Sequence, residues 1–138
     1  MKIILITCTG IFVIESKNFK GYIFGNEKDK KWTQVLSRKN HKTFDNPIIQ
    51  NQYHIDFISK NLNLDLSYFH SYIVFGDDSK LQKITIDKNH RYITRVINNE
   101  KLIETLLLDI HNNDITLSHE EIDKIYIDLK YFYSHLIF

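Results

Sequence analysis

Two apolar runs at the start of the chain constrain its fold more than any other feature. Residues 2–6 and 11–17 are rich in isoleucine, and a short segment ending in Gly10 separates them. Runs of β-branched residues on either side of a turn are typical of paired strands, so this segment predicts a β-hairpin. The second run ends in Glu15, and Lys17 follows two positions later. Because side chains alternate across a strand, both should lie on one face, where the strand leaves the core.

The remaining sequence mixes strand and helix signals. Further strands are predicted where short β-branched or aromatic runs lie between turns: residues 21–25, 32–36, 68–75, 83–86 and 92–96. The segment 38–44 is predicted to be a polar loop. Helices are predicted where apolar residues recur at spacings of three and four: residues 47–61, 100–111 and the segment after Ser118.

Local signals place the helix starts and the buried helix faces. Asn46 is a suitable N-cap and Pro47 suits the first helical position, while Ser118 begins an S-x-x-E capping box. The inward faces are predicted from the apolar spacing: Ile49, Tyr53, Phe57 and Ile58 in the first helix; Leu102, Ile103, Leu106, Leu107 and Ile110 in the second; Ile122, Ile125, Leu129 and Phe132 in the third.

The order of these elements predicts one domain of an α/β or mixed α+β class. Strands are followed by a helix, more strands and two helices, so helices should pack on a sheet. The length of 138 residues suits a single domain. We assign its core to residues 1–86 and a helical C-terminal part to residues 99–138.

Composition excludes several classes of protein. The net charge is +1, so any nucleic-acid binding must come from local basic patches. The only cysteine, Cys8, excludes an internal disulfide and a multi-cysteine zinc site, and it favours a reducing compartment such as the cytoplasm. No stretch of about 18 apolar residues is present, so a membrane span is not expected.

The pair Glu15 and Lys17 suits phosphate chemistry. A carboxylate at a strand end can hold Mg²⁺, and a lysine beside it can stabilise charge that develops on a phosphate. The same tripeptide is common, and it also occurs as an ordinary solvated strand end. From spacing alone, both interpretations remain open.

Four segments together carry a more specific pattern: GIFVIESKNFKG (10–21), Trp32, NPIIQNQYH (46–54) and SYIVF (71–75). This pattern resembles the NERD family, the nuclease-related domain, over residues 3–75. The family is usually placed in the restriction-endonuclease-like superfamily, whose core motif is an acidic residue followed by (D/E)-x-K. The resemblance implies a central mixed sheet flanked by helices and metal-dependent cleavage of DNA phosphodiester bonds.

The resemblance also assigns roles to residues. It implies that Glu15 is the metal-binding acid, that Lys17 is the catalytic lysine, and that Gln50 completes the site from its helix. Mg²⁺ or Mn²⁺ would be the cofactor. Trp32 matches a family aromatic with a structural role. His54, four residues after Gln50, is interpreted as a packing or surface histidine rather than a ligand.

One position departs from the family pattern. The family has an aspartate about eight residues before the glycine that opens the Glu15 strand, and Lys2 stands there in this chain. The family's upstream helix is also not seen, so the chain is expected to begin inside the domain. The nearest acids, Glu27, Asp29 and Asp45, lie in predicted turns or loops. The hypothesis is a truncated or degenerate nuclease with weak or no activity.

Other functions remain open. The fold could serve as a non-catalytic module that binds nucleic acid or protein, or as a small interaction protein with helices on a sheet. Contacts to a DNA backbone would come from basic residues before the first helix: Lys30, Lys31, Arg38, Lys39 and Lys42. An ordinary solvated surface is the alternative for this group, because acidic residues are interleaved with it.

Overall fold

The computed structural model describes residues 2–87 and 92–134, which form a mixed α+β fold. Within them are eight strands, β1 (Lys2–Thr7), β2 (Gly10–Lys17), β3 (Gly21–Asn26), β4 (Lys31–Ser37), β5 (Asn40–Asp45), β6 (Phe69–Phe75), β7 (Ser79–Thr85) and β8 (Ile93–Asn98). The three α-helices are α1 (Pro47–Leu62), α2 (Leu102–Asn112) and α3 (His119–Ser134), and short 3-10 turns precede β6 and α2.

Four strands form the sheet that carries the predicted site. Their order is β1-β2-β6-β8, with β1 antiparallel to β2 and the other two pairs parallel. The register runs from Lys2 opposite Glu15 to Thr7 opposite Gly10, which confirms the predicted hairpin. The strand predicted at residues 92–96 is β8, so the segment between the predicted core and the helical part joins this sheet.

Both faces of β2 are buried, as its apolar run requires. On one face, Ile11 and Val13 pack in a cluster with residues of α1 and α3, including Ile55 and Leu129. On the other face, Phe12 and Ile14 pack in a cluster with Leu106 of α2. The alternation predicted from the sequence is therefore confirmed, and Glu15 and Lys17 continue the face covered by α1.

The second sheet has the strand order β5-β4-β3-β7. The prediction of a polar loop over residues 38–44 was wrong, because β5 pairs with β4 in an antiparallel ladder. β5 is an exposed edge strand, so its side chains need not be apolar and the sequence carries no strand signal. Trp32 of β4 is buried, and its indole N–H donates to the carbonyl of Asn26 at 2.9 Å, which agrees with the predicted structural role.

Asn46 joins the second sheet to α1. Its side-chain oxygen accepts a hydrogen bond from the backbone N–H of Ile48 at 2.9 Å, which confirms the predicted N-cap. Its side-chain nitrogen donates to the carbonyls of Glu27 and Asp29, each at 2.8 Å, in the turn between β3 and β4. Since Asn46 is 1% exposed, all three bonds are shielded from water.

The buried face of α1 differs from the predicted one. Tyr53 and Phe57 are 72% and 47% exposed, whereas the buried face follows Ile48, Asn51, Ile55 and Ile58. Only Ile58 was predicted correctly. The reason is that asparagine interrupts an otherwise regular apolar stripe, so the pattern of large apolar residues pointed to the neighbouring face.

The second and third helices form close to the predicted bounds, with one correction. Ile103 and Leu107 are exposed, although α2 was predicted to bury them. The buried polar residue is Asp109, which accepts two hydrogen bonds from Arg95 on β8 and one from the hydroxyl of Tyr72 on β6. This ion pair fixes the rotation of α2 over the sheet, and such a partner cannot be found from apolar spacing.

The capping box of α3 forms as predicted. The backbone N–H of Glu121 donates to the Ser118 hydroxyl, and the Ser118 N–H donates to the Glu121 carboxylate, each at 3.1 Å. The buried residues of α3 include the predicted Ile125 and Leu129. Among residues 2–87 and 92–134, no helix has the length and apolar character needed to cross a membrane.

The two N-caps provide a stability test. Asn46→Ala removes a cap and the side-chain donor to the carbonyls of Glu27, which is buried, and Asp29, so the free energy of unfolding should fall by about 2–4 kcal/mol. Ser118→Ala removes an exposed cap and should cost about 1 kcal/mol. Urea unfolding followed by circular dichroism measures both. Equal losses in the two variants would contradict the role given to Asn46.

Candidate functional site

The Glu15 carboxylate lies between two ammonium groups. The Lys2 nitrogen is 3.3 Å from one carboxylate oxygen, and the Lys17 nitrogen is 3.7 Å from the other. The side chains of Glu15, Lys2 and Lys17 are 16%, 27% and 22% exposed, so all three are largely removed from water. These residues, together with Asn51, are referred to below as the Glu15 site.

Strand pairing brings the three charged groups together. Lys2 is directly opposite Glu15 in the antiparallel pair of β1 and β2, so both side chains lie on one face. Lys17 lies two residues after Glu15 on the same face. The register thus places Lys2, which stands at the position of the family's aspartate, directly across from Glu15.

Asn51 supports this arrangement from α1. Its side-chain nitrogen donates to the Val13 carbonyl at 3.0 Å and to the Ser71 hydroxyl at 2.9 Å. Its side-chain oxygen accepts from the Lys2 ammonium at 2.8 Å. Since Asn51 is fully buried, these bonds fix its amide and hold the Lys2 ammonium beside Glu15.

The electrostatics of the Glu15 site are those of a cationic cluster. Burial lowers the pKa of Lys2; the Glu15 carboxylate opposes this shift and the Lys17 ammonium adds to it. The Lys31 ammonium binds Asp45 and, with a smaller contribution from Lys17, lowers the pKa of that carboxyl. Asp45 is thus an acid close enough to Lys17 to be affected by its charge, but the Asp45 carboxylate is already paired with Lys31.

The residues present do not fit a divalent metal ion. Mg²⁺ takes oxygen ligands, usually one or two carboxylates with waters and phosphate oxygens. Here the single carboxylate forms ion pairs with two ammoniums, and one of these, Lys2, occupies the strand position opposite it in place of a second acid. Across residues 2–87 and 92–134, no group of three or more acidic, histidine or cysteine side chains could hold a metal.

Gln50 and Asn51 are consecutive in α1, but Gln50 is exposed and Asn51 is buried. Gln50 lies in the first turns of α1 with an exposed side chain, and its role in the site stays a prediction. The residue of this helix that binds the Lys2 ammonium is Asn51, which was not predicted from the sequence. An asparagine interrupting the stripe of Ile48, Ile55 and Ile58 was the available signal, because a buried amide must find polar partners.

The five basic residues predicted to contact DNA are exposed and spread along the β4–β5 hairpin. Lys30 and Lys31 lie at one end, where Lys31 is paired with Asp45. Arg38 and Lys39 lie in the turn, about 20 Å away along β4. Lys42 is opposite Gln34, so it projects from the face opposite to Lys31. The structure therefore does not gather these residues into one patch.

His54 lies one turn after Asn51, between the Glu15 site and α3. Its Nε2 atom shares a hydrogen bond with the Tyr133 hydroxyl, and its Nδ1 atom is buried without a partner among the described residues. Burial, with a further contribution from the Lys2 ammonium, lowers the pKa of His54 to about 4. The imidazole is therefore neutral at neutral pH, in agreement with the predicted packing role.

The domain has a mixed sheet with helices on both faces, and a Glu-x-Lys pair lies at the end of the second strand. These features define an α+β domain of the nuclease-like class. The family model described as nuclease-related domain, NERD, matches residues 2–76. The chain belongs to this family, and the predicted resemblance is confirmed.

One curated relative extends the similarity beyond the family match. An uncharacterized protein of Bacillus anthracis is 32% identical over 123 residues, which make up 89% of this chain and 54% of the relative. The chain thus spans about half the length of that relative. No solved structure shows a significant match.

The lowered pKa of His54 predicts a pH dependence of stability. Between about pH 6.5 and pH 4 the unfolded chain binds a proton that the folded imidazole does not. The free energy of unfolding should therefore decrease as the pH is lowered through this range. Allowing for partial exposure of the ring, His54→Gln should remove about 1–2 kcal/mol of this loss. Urea titrations at several pH values measure it. If the free energy of unfolding had the same pH dependence in the unchanged protein and in His54→Gln, the lowered pKa of His54 would be contradicted.

Proposed function

We propose that this chain is a nuclease-family domain that holds a nucleic-acid phosphate at the Glu15 site and cleaves it weakly or not at all. The observation that supports this most directly is the position of the Lys2 ammonium, 3.3 Å from the Glu15 carboxylate. Lys2 and Lys17 give the cluster one more positive than negative charge. A phosphodiester carries the complementary single negative charge.

The charge balance favours phosphate over metal. At about 4 Å and an effective dielectric constant of about 20, each pair of unit like charges repels by roughly 4 kcal/mol. A divalent ion beside Glu15 would meet this repulsion from the ammoniums of Lys2 and Lys17. A phosphate oxygen would instead accept hydrogen bonds from the same two groups. The site is therefore suited to bind a phosphate without a metal.

Full activity would require a different arrangement. With Mg²⁺ or Mn²⁺ bound, Glu15 would be its ligand, Lys17 would stabilise negative charge on the phosphate, and Gln50 would complete the site, as the family resemblance implies. Lys2 would have to leave the Glu15 carboxylate for that to occur. We therefore propose binding as the principal function and regard metal-dependent cleavage as weak or lost.

The basic residues of the β4–β5 hairpin are proposed as additional, separate contacts. Lys30, Arg38, Lys39 and Lys42 are exposed, but they lie at both ends and on both faces of the hairpin, so each would contact a phosphate individually. Lys31 contributes less because Asp45 neutralises it. The single cysteine and the bacterial relative support a bacterial cytoplasm as the proposed location.

Replacing Lys2 tests the charge argument. Lys2→Asp supplies a second carboxylate and removes an ammonium, whereas Lys2→Met only removes the ammonium. Mn²⁺ affinity measured by calorimetry should be at least tenfold higher in Lys2→Asp than in Lys2→Met, and undetectable in the unchanged protein. Cleavage of a labelled DNA should rise in Lys2→Asp and return to baseline when Lys17→Ala is added.

The unchanged protein provides the opposing test. We expect it to bind DNA in a chelator, with an affinity that Lys17→Ala lowers about tenfold, the effect of losing one charge-assisted hydrogen bond. Mg²⁺-dependent cleavage that Lys17→Ala abolishes would contradict the proposed loss of activity. An absence of both metal and DNA binding would instead favour the small interaction protein.

A further inference from the structure

A cleft of about 560 Å³ opens beside the Glu15 site, between β1, α1 and α3. Its volume lies within the range of roughly 300–1,000 Å³ that is usual for small-ligand sites. Lys2, which binds Glu15, also lines this cleft. The cleft and the Glu15 site therefore share the side chain of Lys2. It is referred to below as the β1–α3 cleft.

The lining of the β1–α3 cleft combines two chemical characters. Aliphatic side chains such as Ile4 and Leu129 and the aromatic rings of Tyr126 and Tyr133 make most of it apolar. The polar lining consists of His54, which is neutral at neutral pH, and the ammoniums of Lys2 and Lys130. Among the described residues no acidic side chain lines it, so the lining favours a ligand with a flat apolar face and negative charge.

A nucleotide has both of these properties. Stacking of bases on aromatic side chains, together with lysines that contact phosphates, is how proteins bind single-stranded nucleic acid. A base within a duplex is stacked and paired on both sides, so it cannot reach a tyrosine inside a cleft without first being extruded. A cleft that stacks a base on a tyrosine would therefore favour an unpaired strand over a duplex.

One of the two tyrosines is held in place before any ligand binds. The Tyr133 hydroxyl is hydrogen-bonded to His54 of α1, and the two rings contact each other edge to face with centroids 6.1 Å apart. Tyr126, on the preceding turns of α3, is 58% exposed. Restricting one ring in advance lowers the entropic cost of stacking a base on it.

We propose that the β1–α3 cleft binds an unstacked base of a single-stranded polynucleotide, with its flanking phosphates at Lys130 and Lys2. The proposal rests on the proposed function, because the strand then continues from Lys2 to Lys17 in the Glu15 site. It adds the form of the substrate: an unpaired strand or the frayed end of a duplex. Whether the sugar is deoxyribose or ribose is left to the experiment, because stacking and phosphate contacts are common to both.

Fluorescence anisotropy of labelled oligonucleotides in a chelator provides the test. The probes are oligodeoxyuridylate and oligouridylate of about 15 nucleotides, which differ only in the sugar, and a blunt duplex of the same length. We expect one or both single strands to bind at least tenfold more tightly than the duplex. The tighter of the two single strands identifies the sugar.

Variants of the cleft localise the binding. Tyr126→Leu and Tyr133→Leu should each weaken single-strand binding by about 5- to 100-fold, the range for loss of one stacked base. Tyr133→Phe keeps the ring but loses the hydrogen bond to His54, so it should bind more weakly than the unchanged protein and more tightly than Tyr133→Leu. Lys130→Gln should reduce the slope of log affinity against log salt by about 0.7, as expected for one lost phosphate contact on a single strand.

Tyr131→Leu is the matched control, because Tyr131 lies on the same helix but does not line the cleft. It should leave single-strand affinity unchanged, and thermal unfolding checks that each variant folds. Equal affinities for single strand and duplex, or equal effects of Tyr131→Leu and Tyr133→Leu, would overturn the cleft proposal.

The cleft proposal and the proposed function can fail separately. If Lys17→Ala weakens binding but the tyrosine variants do not, the cleft proposal is wrong and phosphate binding at the Glu15 site stands. If the tyrosine variants weaken binding but Lys17→Ala has no effect, a single strand occupies the cleft without reaching Lys17. That result supports the cleft and overturns the proposed role of the Glu15 site.

Discussion

Strand β2 has helices against both faces and a strand along both edges, and the other features of the site follow from this burial. Its first five residues, Gly10 to Ile14, are buried, and the strand remains in register with β1 and β6 as it leaves the core. A slip of one residue would exchange its two faces and move Glu15 and Lys17 to the other side of the sheet. The register in turn fixes which residue faces Glu15, and in this chain that residue is Lys2.

The pairing of Lys2 with Glu15 puts attraction between unlike side chains at the position where the family pattern would set two acids against each other. The hairpin geometry tolerates this exchange, since an opposite-charge pair across two antiparallel strands is favourable. Removing either partner would leave a largely buried charge without compensation, which is costly. Asn51 lowers that cost for Lys2 by accepting a hydrogen bond from its ammonium. The cluster is thus a stable alternative to a metal centre, and its net positive charge determines which ligands it can accept.

Local rules predicted the hairpin, the shared face of Glu15 and Lys17, and the start of α1 at Asn46, because each depends on residues close in sequence. The family resemblance added that Lys2 stands where the family has an aspartate. Three features could not be predicted in this way. The exposed strand β5 has no apolar pattern, the rotation of α2 depends on an ion pair with Arg95, and Asn51 finds its partners on three distant strands. Each is fixed by contacts between segments far apart in the chain.

The ammonium of Lys2 belongs to both the Glu15 site and the β1–α3 cleft, and this couples their chemistry. In the proposed binding mode, a lysine there attracts a phosphate from either side, so a strand in the cleft would extend toward Lys17. An aspartate there would favour a metal at Glu15 but would place a negative charge at the cleft that is proposed to hold a polyanion. Binding of a single strand without metal and metal-dependent cleavage therefore place opposite demands on one side chain. The lysine at this position meets the first demand.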